Sequence, residues 1–153
     1  MRVLALSPGS LQLQLERLPA LAAVAEQLGA QIQVACEPAH RPLWSLLPAV
    51  EKVIPFPFAG DPNLAEWANL LGLVREPDFQ ACLNFATGRQ VNLMLSMSHI
   101  PVRVATKGFS CTARVSPGQG WRPQRLASYL KPLGLSLKAD DFRLSLPADA
   151  MEA

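Results

Sequence analysis

Two stretches carry the residues whose types and spacing could do chemistry. The first is Ser7-Pro8-Gly9-Ser10, set between the apolar run Arg2-Val3-Leu4-Ala5-Leu6 and the Leu- and Ala-rich stretch Leu11 to Leu28. A turn of this kind at a helix entrance can offer backbone N–H groups to a phosphate. Ser7, Gly9 and Ser10 are therefore candidate anion- or acceptor-binding residues. A single glycine is not a GxGxxG fingerprint, and a tight strand-to-helix turn that needs Gly9 accounts for the same residues. The second stretch is defined by charge. Residues 1–78 carry −3 and residues 140–153 carry −3, whereas Phe79 to Ala139 has no Asp or Glu and carries +8. Such a span suits a surface facing something anionic, with a solvated basic face as the plain alternative. Lys107, Arg114 and Arg122 lie in or beside its polar segment and complete the candidate set, with Arg89 further upstream.

Other chemistries find little support. Cys36, Cys82 and Cys111 are widely spaced, no CxxC occurs, and His40 and His99 have no ligand-like spacing to them. Structural reduced thiols are expected, with no metal and no cofactor. Trp44, Trp67 and Trp121 read as packing aromatics before sugar platforms. Nucleic acid is not an expected partner, because the basic span lacks interleaved aromatics and any recognition motif.

The elements that must position these residues follow from periodicity and punctuation. Strand, turn, helix, a stop at Gly29 and a second apolar run, Gln31 to Cys36, have the length of a right-handed βαβ unit. Pro19 predicts either a kink near Arg17–Leu18 or a loop up to there, with the regular helix beginning at Pro19. Leu43 to Leu47 predicts a short helix. Val50 to Phe56 predicts a third strand, short or at an edge because of Pro55 and Pro57. Asp61 is expected to cap a helix with Pro62 at its first position, its buried face marked by Leu64, Trp67, Leu70, Leu71 and Val74. Phe79 to Phe85, a helix from Arg89 to Ser98, and Val102 to Ala105 continue the alternation. Gly108 to Gly120 reads as a polar loop, Trp121 to Leu133 as a last helix, and Phe142 and Leu144 as an edge strand or tail. The pattern predicts an α/β fold, a Rossmann-like doubly wound parallel sheet of five to six strands with the first strand central. One domain over residues 1–153 fits the length, and half of the residues are apolar. No leader peptide or spanning segment is expected, so the expected location is the cytoplasm, with peripheral contact to the inner membrane as an extension.

Several segments together resemble the N-terminal domain of the family 9 glycosyltransferases, the ADP-heptose:lipopolysaccharide heptosyltransferases and their relatives. They are Arg2-Val3-Leu4-Ala5-Leu6, Leu18-Pro19-Ala20-Leu21, Glu37-Pro38, Leu47-Pro48-Ala49-Val50-Glu51-Lys52-Val53-Ile54-Pro55-Phe56, Ile100-Pro101-Val102-Arg103, and Gln124-Arg125-Leu126 through Leu135. The resemblance implies one half of a GT-B enzyme of lipopolysaccharide biosynthesis, the half that holds a phosphorylated sugar-lipid acceptor. It also implies an inverting transfer assisted by a general base, an Asp in a Ser-x-Gly-Asp turn after the first strand. The matching positions here are Ser10, Leu11, Gln12 and Leu13. Leu13 cannot accept a proton, and Glu16 lies a helical turn further on. The family continues into a donor domain beyond the length of this chain. The expectation is therefore an acceptor-side domain that is not catalytic alone, with no catalytic residue assigned. The alternative is a pseudoenzyme acting as a binding or scaffold subunit of a larger complex. Expected partners are a phosphorylated glycolipid acceptor, an anionic membrane surface, an acidic protein, or a separate donor-domain chain.

Overall fold

A computed structural model describes residues 1–105 and 111–114. Among the described residues six strands form one sheet: β1 (Arg2–Ser7), β2 (Gln31–Cys36), β3 (Val50–Pro55), β4 (Phe79–Asn84), β5 (Val102–Ala105) and β6 (Ala113–Arg114). Their order is β3-β2-β1-β4-β5-β6, and every pairing is parallel. This is the doubly wound order with β1 inside the sheet, as the alternation predicts. The central strand β1 reads as an unbroken apolar run over Val3–Leu6 because both of its faces are covered. Val3 and Ala5 look toward one layer, and Leu4 and Leu6 toward the other, all fully buried.

Helix α1 (Leu11–Leu28) and the short α2 (Arg41–Trp44) cover the first face through Leu18, Leu21, Val24 and Trp44. Helices α3 (Leu64–Arg75) and α4 (Arg89–Ser96) cover the second through Leu70, Val74, Val91, Met94 and Leu95. Among the described residues, no helix is long and apolar enough to cross a membrane.

The structure corrects several local expectations. Helix α1 is continuous through Pro19 from Leu11, so no loop precedes the proline. An interior proline costs about 3 kcal/mol. Leu18, Leu21 and Val24 are fully buried against the sheet, and each contributes about 1.5–3 kcal/mol. The carbonyl that Pro19 leaves without its usual helical donor belongs to Leu15, a residue that is 46% exposed. Gly29 ends the helix in the left-handed conformation, as its position suggests.

The first residues of the second crossover form a 3-10 turn (Pro38–His40), and α2 starts at Arg41 rather than Leu43. Asp61 does not cap α3. Asn63 does, in a capping box with Glu66, and Asp61 sits two residues earlier at φ +54°. Leu64 is 84% exposed, so the buried face of α3 narrows to Leu70 and Val74. Helix α4 ends at Ser96 rather than Ser98. The expected polar loop from Gly108 contains β6, paired through Val104–Ala113 and Ala105–Arg114. The expected helix from Trp121 and the Phe142–Leu144 strand lie outside the described residues.

Candidate functional site

In an open parallel sheet, ligands meet the carboxyl ends of the strands where the winding direction reverses. Here that point lies between β1, which runs into α1 on one face, and β4, which runs into α4 on the other. A crevice of about 320 Å³ opens there. It is lined by Pro8 and Gly9 after β1, by Phe58, Ala59, Asp61, Pro62 and Trp67 around the start of α3, and by Phe85, Ala86, Thr87 and Gln90 after β4. Its size is at the low end of ligand-sized pockets, about 300–1,000 Å³.

The turn after β1 is built from beneath by one amide. Gln14, fully buried, donates through Nε2 to the carbonyls of Ser7 (2.8 Å), Pro8 (3.1 Å) and Gly9 (3.3 Å). Its Oε1 accepts from Ser7 Oγ at 2.6 Å and from the buried Trp44 Nε1 at 3.0 Å. Arg17 adds Nη1 to Ser7 Oγ at 2.9 Å and to the Pro8 carbonyl, and its guanidinium lies 4.8 Å above the Phe85 ring. The turn is thereby held to α1, α2 and the segment after β4 at once.

The candidate residues fall in different places. The Ser7 hydroxyl is fully buried in the Gln14–Arg17 network and faces α1, not the crevice. Gly9 lines the crevice at φ +105°. A Cβ there would come within 2.5 Å of Leu13 Cδ1. Ser10 is the N-cap of α1, its side chain accepting from the Leu13 N–H. Leu13 thus stands beside the crevice wall, an apolar side chain where the resembled family has an Asp. Arg114 lies on β6, three strands from β1 and so about 14 Å away. Lys107 and Arg122 lie outside the described residues. Arg89 is exposed at the first turn of α4. Arg103 is a structural residue, donating to the carbonyls of Leu95 and Ile100.

Three features escaped the sequence reading. Among the described residues, Asp61 is the one charged side chain lining the crevice. Its placement among turn residues, Ala59-Gly60-Asp61-Pro62, read as capping chemistry. Gln14 carried no motif at all. Trp67, read as packing, is a crevice wall as well as a neighbour of Phe56, with ring centroids 4.8 Å apart. Below the crevice, at the end of β4, Asn84 is 2% exposed; its Oδ1 accepts from the Ala86 N–H at 2.9 Å and its Nδ2 has no partner.

Cys36 and Cys82 are buried and Cys111 is partly exposed. Burial, followed by the nearby Glu37 carboxylate, pushes Cys36 up to about 11. Burial pushes Cys82 up to about 12 against a smaller opposing pull from Arg103. All three cysteines are free, and among the described residues no group of His, Cys, Asp and Glu could hold a metal.

No protein-family model and no curated protein sequence matches this chain. Solved structures do. E. coli heptosyltransferase WaaC with ADP-2-deoxy-2-fluoro heptose superposes with a TM-score of 0.74 at 18% identity, over 91% of this chain and 50% of that one. A glycosyl transferase family 9 protein from Veillonella parvula gives 0.77 at 10% identity, over 97% and 46%. E. coli ADP-heptose lps heptosyltransferase II gives 0.52 at 22% identity, over 68% and 30%. The chain therefore has the Rossmann-like fold found in these glycosyltransferases, and it spans about half the length, or less, of the structures it matches.

Proposed function

We propose that this chain is a heptosyltransferase-like acceptor-side domain, binding a sugar-bearing acceptor in the β1/β4 crevice and transferring no sugar by itself. One observation carries the reading: a fold shared with half of the heptosyltransferase structures, opening a ligand-sized crevice at its winding reversal. The part of the reading that denies catalysis rests on Leu13, which leaves no proton acceptor in the first turn of α1 to activate an acceptor hydroxyl. The test is to incubate the purified chain with ADP-heptose and a sugar-lipid acceptor. Saturable acceptor binding without ADP release above background is expected. ADP release that depends on acceptor would overturn the non-catalytic part, and no acceptor binding would overturn the whole.

The second reading is a non-enzymatic binding or scaffold subunit that kept the glycosyltransferase fold. Leu13 favours it too, because loss of the base leaves a binding surface intact. The two readings separate in native extract. Recovery of a donor-domain chain supports the first, and recovery of an unrelated assembly without affinity for acceptor supports the second.

A further inference from the structure

We propose that Glu37 is a positioning residue for the crevice: it stands behind the wall made by residues 58–61, and its carboxylate fixes where that wall stands and so how tightly an acceptor is held. The inference rests on the acceptor-side reading and deepens it, because it assigns part of the affinity to a residue that touches no ligand.

The need for such a residue follows from the place of β3 in the sheet. Among the described residues β3 ends the sheet, with β2 on one side of it, so the sheet holds the chain leaving β3 from the β2 side. The ladder carries on one residue past β3, where the Phe56 N–H donates to the Cys36 carbonyl at 2.8 Å. It stops at Pro57, which has no N–H to give. Glu37, the residue after β2, takes over with its side chain. Its Oε1 accepts from the Ala59 N–H at 2.6 Å, across 22 positions of sequence. A carboxylate accepting from a backbone N–H makes a charge-assisted bond, roughly twice as strong as a neutral one.

What that bond holds is the crevice wall. Ala59 lies in the 3-10 turn Phe58–Gly60, closed by the Gly60 N–H on the Pro57 carbonyl at 3.0 Å. Phe58 and Ala59 line the crevice, and so does Asp61 after them. Asp61 keeps φ +54°, a left-handed conformation uncommon for a residue with a side chain. Such a conformation persists where the flanking structure imposes it. On the far side, Pro62 and the Asn63–Glu66 capping box fix the entry to α3. On the near side, the Glu37 carboxylate fixes the turn. The Phe58 ring packs edge-on against Phe56, with centroids 4.8 Å apart, so a turn that shifts takes that ring with it. A wall already in place loses little freedom on binding, whereas a released one must be ordered again by the ligand.

The experiment compares the 153-residue chain with its Glu37→Gln and Glu37→Ala variants. The probe is octyl glucoside, a sugar on an alkyl chain, kept below its micelle concentration. Amide NMR reads its affinity from Gly9, Thr87 and Gln90, which line other parts of the crevice, and hydrogen exchange at Ala59 reads the turn itself. Thermal melts report the fold. Glu37→Ala is expected to lose protection at Ala59 and to bind the probe about tenfold more weakly, the Gly9, Thr87 and Gln90 amides of the free chain staying where they were. Glu37→Gln keeps an oxygen that accepts the same N–H, so it should protect Ala59 and bind within about threefold of the parent. A residue serving stability alone lowers the melting temperature and leaves the affinity of the folded chain unchanged. A Glu37→Ala variant that frees Ala59 yet binds within about twofold of the parent therefore overturns the inference, while the acceptor-side reading stands. A Glu37→Gln variant as weak as Glu37→Ala also overturns it, since the hydrogen bond is then not what places the wall. Should Glu37→Ala fail to fold, Glu37→Asp, one methylene shorter, carries the same expectation and the same refutation. If the parent chain does not bind the probe at millimolar concentration, the acceptor-side reading fails, and the inference fails with it.

Discussion

Gln14→Leu should destabilise this domain far more than its polar-to-apolar change inside a helix would suggest. Leucine nearly matches the volume, so no large cavity forms. The loss is in hydrogen bonds. The buried Trp44 Nε1–H loses its acceptor at 3.0 Å, and the Ser7 carbonyl loses its donor at 2.8 Å. The Pro8 carbonyl keeps Arg17, Gly9 is exposed, and the Ser7 hydroxyl, which loses Gln14 Oε1 at 2.6 Å, keeps the Arg17 bond and can rotate, so those three contacts matter less. Stranding a buried donor or acceptor costs about 1–3 kcal/mol each. Two such groups give a total of about 3 kcal/mol after partial relaxation. For a chain of this length each kcal/mol moves the midpoint by about 2–4 °C, so Tm should fall by about 6–12 °C. Urea unfolding followed by circular dichroism and tryptophan fluorescence measures the first figure, and thermal melts the second. Trp44→Phe removes the indole N–H by itself. Combined with Gln14→Leu it should show a coupling of about 1 kcal/mol, because the orphaned donor is gone. A Gln14→Leu loss below about 0.5 kcal/mol, or strict additivity in the cycle, would refute the view that this amide ties the β1–α1 turn to α2.

Further outcomes follow from the same geometry. Gly9→Ala places a side chain at φ +105° and against Leu13 Cδ1, and should cost about 1–3 kcal/mol by urea unfolding. Adding Leu13→Ala should recover only the steric part, since the backbone strain remains. Cys36 and Cys82 should resist thiol reagents in the folded chain at pH 8, while the partly exposed Cys111 reacts first. Both buried thiols titrate higher folded than unfolded, so the folded state binds more protons above about pH 9. Stability should fall as pH rises from there toward 11, and Cys36→Ala should flatten that fall in pH-dependent melts. Glu51 is held below its ordinary value by the Gln33 amide first and then by Arg2. Its contribution is present above that ordinary value and lost as pH falls through the lowered one. Because the pair is largely exposed, Glu51→Gln should cost no more than about 0.5 kcal/mol at neutral pH, and the difference from the parent should vanish in acid.

The sequence alone determined the architecture. Val3 to Leu6 and Ala81 to Leu83 are buried on both faces, so they read as unbroken apolar runs, and runs this short alternating with helical stretches mark a sheet covered on both sides. Gly29 and the prolines around β3 marked ends and an edge, because their backbone limits act locally whatever lies nearby. From these, the parallel order with β1 inside followed by chain connectivity and handedness. The tertiary structure decided what local pattern cannot carry. Pro19 reads as a break, yet burial of its neighbours against β1 and β2 outweighs the lost donor, and α1 runs through it. Gln14 looks like any surface residue of a helix until the turn after β1 folds back over it. Asp61 and Gly9 are fifty-two positions apart, and only the crossover from β3 to β4 brings them to one crevice. The site is made by long-range closure, whose partners leave no periodic trace in the chain.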